Sequence, residues 1–149
     1  MTLTNHLLTG AALAKVLPLP IAIPLAFISH FVLDSLPHFG LKDMGSIENR
    51  RKHKKLLVSV VSIDVILGIL FIAWLIESNH IKWLIVALVA YSPDLIWIYR
   101  FTVEEKFGRL AQTKGNRFIQ FHVGIQKYER IWGLFVEVVY GSLLFLAIH

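Results

Sequence analysis

The sequence predicts an all-α fold: a polytopic membrane helical bundle forming a single integral membrane domain over residues 1–149. Three observations carry this. Apolar residues make up 56% of the chain, where soluble domains hold about 45–50%. Mean hydropathy is +0.63. The apolar residues also fall in long runs, while the charges crowd into two stretches, Lys42–Lys55 and Arg100–Arg130.

The elements follow in order. An N-terminal hairpin of two short helices, Thr4–Val16 and Ile21–Leu36, is broken at "LPLPIAIP", since proline removes a backbone donor and clashes with the preceding turn. Thr4 or Asn5 is the expected cap of the first helix. Both helices are short for full spans, so the hairpin either crosses twice or re-enters. Leu56–Ile76, Trp83–Tyr99 and Ile131–Ile148 are the three expected transmembrane helices, against a requirement of about 17–25 residues. Trp74, Trp83, Tyr99 and Trp132 near their ends fit interfacial positions. Between the last two spans, "FIQFHVGIQKYER" places His122, Gln126 and Glu129 on one face of a cytoplasmic amphipathic segment.

Charge orients these elements. The net charge is +5, and two spans separate the two basic stretches, which puts them on one side. The positive-inside rule makes that side cytoplasmic, with the N-terminus. The first residues lack the basic n-region of a secretory signal. A nucleic-acid partner is not expected, because such a binder needs no long apolar runs between its charges. There are no cysteines, so any metal is held by His, Asp, Glu or water.

The ionisable residues within the helices all fall towards the cytoplasmic side. At 1.5 Å per residue, His30 and Asp34 lie within about 9 Å of the end of their helix, Asp64 about 12 Å in from Leu56, and Asp94 about 8 Å from Tyr99. His6 starts the first helix, and Glu137 lies about 9 Å beyond Ile131. A charge in hydrocarbon costs several kcal/mol unless paired, hydrated or metal-bound, so such residues are candidates for function. The i, i+4 spacing of His30 and Asp34 lets them converge on one point. His38 follows Pro37 at the interface, and Asp94 follows Pro93.

Mixed imidazoles and carboxylates suit a divalent metal: zinc first, with manganese or iron as alternatives. The expected ligands are His6, His30, Asp34, His38, Asp64, Asp94 and His122, with Asp64, Asp94 and His122 also the candidates for proton transfer. Plainer readings stand beside these. His30 and Asp34 could be a buried hydrogen-bonded pair, Asp64 and Asp94 could pair with each other or an arginine, and His6 could face water. His53 sits among solvated lysines, Glu129 and Glu137 have no assigned role, and His80 and His149 belong to the opposite face. HExxH, GxSxG and phosphate-cradling glycine loops are absent, which removes support for zincin proteases, serine hydrolases and P-loop enzymes.

"TNHLLTGAALAKVL" followed by "PLAFISHFVLDSLPHFG" resembles the bacterial inner-membrane family of predicted metal-dependent hydrolases, small helical proteins distantly similar to zinc-dependent phospholipase C. The matching residues are His6 with Thr9-Gly10, and His30 with Asp34. Many members follow with an Arg and a Thr-His-Ser; here "RRKHKKLL" keeps His53 and replaces Thr and Ser with lysines. The resemblance implies a hydrolase with His and Asp metal ligands, multi-pass in the inner membrane. Together these readings predict metal-dependent hydrolysis of a phosphoester or phospholipid-like substrate at the cytoplasmic leaflet, with membrane lipids as partners and oligomerisation left open. The alternative is divalent-metal or proton transport. A third reading is a structural membrane protein whose acids pair to set helix register.

Overall fold

Pro18 and Pro20 set the first break. In a computed structural model of the chain, which describes residues 1–40, 52–96 and 117–149, helix α1 (Leu3–Val16) stops at Leu17 and α2 (Leu19–Asp34) begins with Pro18 as its N-cap. Pro20 falls in the first turn of α2, where its missing N–H costs nothing, and Pro24 is carried inside the helix. The expected hairpin is therefore present, with α2 starting two residues earlier and ending two residues sooner than Leu36.

A two-residue strand β1 (His38–Phe39) pairs in parallel with β2 (Glu129–Arg130), joining the end of α2 to the segment before the last helix. Helix α3 (Lys54–Glu77) is followed by α4 (Ile81–Tyr91), a 3-10 turn Ser92–Asp94, α5 (Arg117–Ile125), a 3-10 turn Gln126–Tyr128, and α6 (Gly133–Ile148). The described residues are mainly helical, in agreement with an all-α fold.

Among the described residues, α3 is the one helix long and apolar enough to cross a membrane. Its 24 residues extend about 36 Å. The other two expected spans differ from their predicted bounds. In place of Trp83–Tyr99 there is an 11-residue α4 that gives way to the 3-10 turn at Pro93, because proline leaves no donor for the next helical bond. Positions 97–99 lie outside the described residues. In place of Ile131–Ile148 there is a 16-residue α6. Lys42, Arg50, Arg51 and Arg100 of the basic stretches also lie outside the described residues.

Helix α1 is the axis of the bundle, packed by α4, α2, α6 and α3. Small residues make the closest approach. Ala14, Ala22, Ala26 and Ala90 are fully buried together with Val86. A Cβ at Gly10 would stand 2.5 Å from the Ala87 Cα. Small side chains that let backbones touch are the means by which helices associate without a hydrophobic driving force.

The first turn of α1 is capped from outside. Thr2 makes no side-chain cap, and neither Thr4 nor Asn5 takes that role. Instead the Leu3 and Thr4 amides donate to Asp64 of α3 at 2.8 and 2.9 Å, and Thr4 Oγ1 donates to the Asp64 carbonyl. A carboxylate satisfies the orphan amides at the positive end of the helix dipole. Asn5 reaches across to donate to the Glu137 carbonyl of α6 at 3.1 Å.

Candidate metal centre

Three elements deliver the acids and imidazoles of this group to one end of the bundle. The i, i+4 repeat puts His30 and Asp34 on the inner face of α2, both fully buried. The 3-10 turn after Pro93 brings in Asp94, and α5 lays His122 over the top, also fully buried. The nearest ligand atoms of His30, Asp34, Asp94 and His122 all lie within 4.8 Å of one another, and the group could hold a metal ion.

The individual spacings sharpen this. Nε2 of His122 lies 3.0 Å from Asp34 Oδ2 and 3.6 Å from Asp94 Oδ1. Nε2 of His30 lies 3.4 Å from Asp34 Oδ2, 3.6 Å from Asp94 Oδ1 and 3.2 Å from His122 Nε2. Donors arranged tetrahedrally about zinc, with bonds of about 2.0–2.1 Å, stand about 3.3 Å apart. Five of the six separations in the group, 3.0–3.6 Å, are close to that spacing.

Its protons also point to a cation. His30 Nδ1 lies 3.0 Å from the Ala90 carbonyl. A carbonyl can only accept, so Nδ1 carries a proton, and in the neutral ring Nε2 turns a lone pair inward. This is the outer hydrogen bond that fixes the tautomer of a metal-binding histidine. Two carboxylates and an inward-facing imidazole leave the centre rich in acceptors. The Met1 ammonium donates to Asp34 Oδ1, placing a positive charge at the cluster's edge.

Other expected ligands take positions around this group. His6 is fully buried, stacked on His30 with ring centroids 4.1 Å apart. Its Nε2 lies 3.2 Å from Asp34 Oδ1 and 3.9 Å from Asp94 Oδ2, touching both carboxylates from the side opposite His122. His38 is buried in β1, with Nδ1 donating to the Leu36 carbonyl at 2.8 Å, and is not a member of the four-residue group. Asp64 is also outside it, both carboxylate oxygens being taken by α1. His53 stands at the N-cap of α3.

On the amphipathic segment, His122 and Gln126 keep their predicted common face. Gln126 Nε2 donates to Asp34 Oδ2 at 3.1 Å. Glu129 leaves that face, because the helix tightens to 3-10 at Gln126 and becomes strand at Glu129, beside His38. Gln126 was visible in the sequence through its i+4 spacing from His122; the Ala90 carbonyl carried no sequence signal.

At the other end of the bundle stand the aromatic residues of the α3–α4 turn. His80 stacks on Trp83 at 4.3 Å, and Trp74 on His149 at 4.8 Å. Fold and site thus define a helical protein with a buried His/Asp cluster at one end. No family model, curated protein or solved structure matches the chain.

Proposed function

We propose that this protein is a membrane-embedded metal-dependent hydrolase of phosphoester or phospholipid-like substrates, with its centre in the cytoplasmic leaflet of a bacterial inner membrane. The observation that carries the reading is the set of four donors at metal-ligand spacing inside an apolar bundle. In this reading His30, Asp34, Asp94 and His122 are the ligands, and zinc is the first candidate. The resemblance of the His6 and His30/Asp34 motifs to the inner-membrane hydrolase family supports the same conclusion. The multi-pass topology, with the N-terminus and basic stretches cytoplasmic, belongs to the proposal. It rests on α3 and on the apolar, exposed faces of α2 and α6.

A bound divalent metal would supply Lewis acidity and lower the pKa of water enough to give hydroxide near neutral pH. The chain's own residues do the rest. His6 and Gln126 hold the Asp34 carboxylate from two sides, and the Ala90 carbonyl holds the His30 ring. Asp94 keeps 16% side-chain exposure while His6, His30, Asp34 and His122 keep none, so substrate approaches from its side. The Asp94 oxygen not used as a ligand is placed at that opening to take a proton from water. Basic residues near the surface draw anionic lipids at about 1 kcal/mol each. Transport is the weaker reading, since a proton or metal path needs polar groups through the bilayer. Among the described residues the acid and imidazole cluster stays at one end.

Elemental analysis of the detergent-purified protein tests this, beside His30→Ala and Asp34→Ala. The expected result is near-stoichiometric metal in the parent and under one-tenth of it in both variants. Cleavage of a chromogenic phosphodiester should then be lost on chelation and restored by zinc or manganese. A folded protein that takes up no metal on reloading would sink the proposal.

A further inference from the structure

Asp34 and Asp94 each offer two oxygens, and the two oxygens meet different imidazoles. Asp34 Oδ2 lies 3.4 Å from His30 Nε2 and 3.0 Å from His122 Nε2. Asp94 Oδ1 lies 3.6 Å from each of the same nitrogens. The remaining oxygens are the ones that His6 meets. Its Nε2 lies 3.2 Å from Asp34 Oδ1 and 3.9 Å from Asp94 Oδ2. The first of these matches the spacing of neighbouring donors on one ion, about 3.3 Å. The second involves Asp94, which at 16% side-chain exposure is the least confined of the group. Two carboxylates divided in this way can each bridge a pair of metal ions.

His6 itself carries a second sign of a ligand. It stands outside the four-residue group and is fully buried. Its Nδ1 has no hydrogen-bond partner among the described residues. The ring is therefore not tied to one tautomer, and its proton can rest on Nδ1 while Nε2 offers a lone pair. The Met1 ammonium on Asp34 Oδ1 shows that this side of the carboxylate draws positive charge.

We infer that the centre takes a second divalent cation, held by His6 Nε2, Asp34 Oδ1 and Asp94 Oδ2, with both carboxylates bridging the pair. The inference rests on the hydrolase reading, which places the first ion among His30, Asp34, Asp94 and His122. The second ion displaces the Met1 ammonium from Asp34 Oδ1. It also changes the use of Asp94 Oδ2, the proton acceptor of the one-ion centre, which becomes a ligand in the two-ion centre. The second site is the weaker one. It has three protein donors where the first has four, and His6 lacks the outer hydrogen bond that His30 makes to the Ala90 carbonyl. Losing such a bond costs a metal site about 10–100-fold in affinity. Two ions against two carboxylates leave excess positive charge, which an anionic substrate offsets. Paired ions also suit in-line displacement at phosphorus, where an attacking and a leaving oxygen both need stabilising. The substrate class is thereby narrowed to phosphoesters.

Manganese(II) titration of the metal-stripped full chain in detergent tests this, read by equilibrium dialysis and electron paramagnetic resonance. Two manganese ions per chain are expected at saturation, the second binding at least ten-fold more weakly than the first. The spectrum should be that of an isolated ion at one equivalent and of an exchange-coupled pair at two. His6→Gln keeps a side-chain donor for Asp34 Oδ1 and removes the imidazole. It should bind one manganese, uncoupled, within about three-fold of the parent's first affinity, with its helical circular dichroism unchanged. If His6→Gln does not fold, the parent's own stoichiometry and spectrum decide. Saturation at one manganese, with the ammonium keeping Asp34 Oδ1, would overturn the inference and leave the hydrolase reading standing. Two uncoupled ions, or a folded His6→Gln that binds two or none, would overturn it as well. A parent that binds no metal would overturn both.

Discussion

The two sides of α1 are built differently. Against α2 and α4 it presents Gly10, Ala11 and Ala14, and the backbones come close enough that no added Cβ fits at Gly10. Against α3 and α6 it meets side chains rather than backbones at the closest glycines, Gly68 and Gly141, and the contact is bridged by polar groups at Asp64 and Glu137 and split by a groove. The tight side carries every member of the four-residue cluster except His122, which α5 lays across it. The loose side carries the long apolar helix, of which only 11% of the apolar window is buried. Ligand geometry demands fixed backbones, whereas an exposed apolar wall makes no such demand. Small residues stand on both sides, but only at Gly10 is the atom met a neighbouring helix's backbone.

Substitutions that strike each side should separate these roles. The largest effect is expected from Asp34→Ala, which removes the carboxylate shared by His6, His30, His122 and Gln126. Metal retention should fall at least ten-fold, read by elemental analysis. Next comes Gly10→Val on the tight side. Its Cβ meets the Ala87 backbone, so destabilisation should reach the top of the overpacking range, about 3 kcal/mol, measured by unfolding in detergent. If Gly10→Val is neutral, the close-packed half of the comparison fails.

Gln126→Ala should leave the fold intact and weaken metal binding about 10–100-fold, the usual effect of losing an outer partner of a ligand; competition with a chelating dye reads it. Asp64→Ala sharpens the contrast, because Asp64 caps α1 and lies outside the four-residue group. It should cost about 1–2 kcal/mol of stability with metal content near the parent's. Loss of metal without loss of stability would return Asp64 to the ligand set. The smallest effect belongs to the exposed flank: Ile66→Ala, at a residue 56% exposed, should change stability by no more than about 0.5 kcal/mol.

Several features could be read without any tertiary information. Proline chemistry located the break between α1 and α2. Helical periodicity put His30 with Asp34, and His122 with Gln126. The depth of each acid and imidazole along its helix placed them at one end. Other features escaped such reading for identifiable reasons. Asp64 looked like a buried acid with a ligand's prospects, and only the docking of α1 turned it into a cap. Glu129 fitted the face of His122 by spacing, but the 3-10 turn at Gln126 diverted it to the strand with His38.

By itself the sequence determined what local geometry can encode: helical character, the break at Pro18, the shared faces, and the depth of each polar group. The tertiary structure alone decided which faces meet. Asp34 finds His122 across 88 residues of chain, and His30 finds the Ala90 carbonyl across 60. Those meetings follow from the packing of α2 on α4 and the placement of α5 over α2. Such contacts are set by packing between distant segments, which periodicity within one segment does not specify.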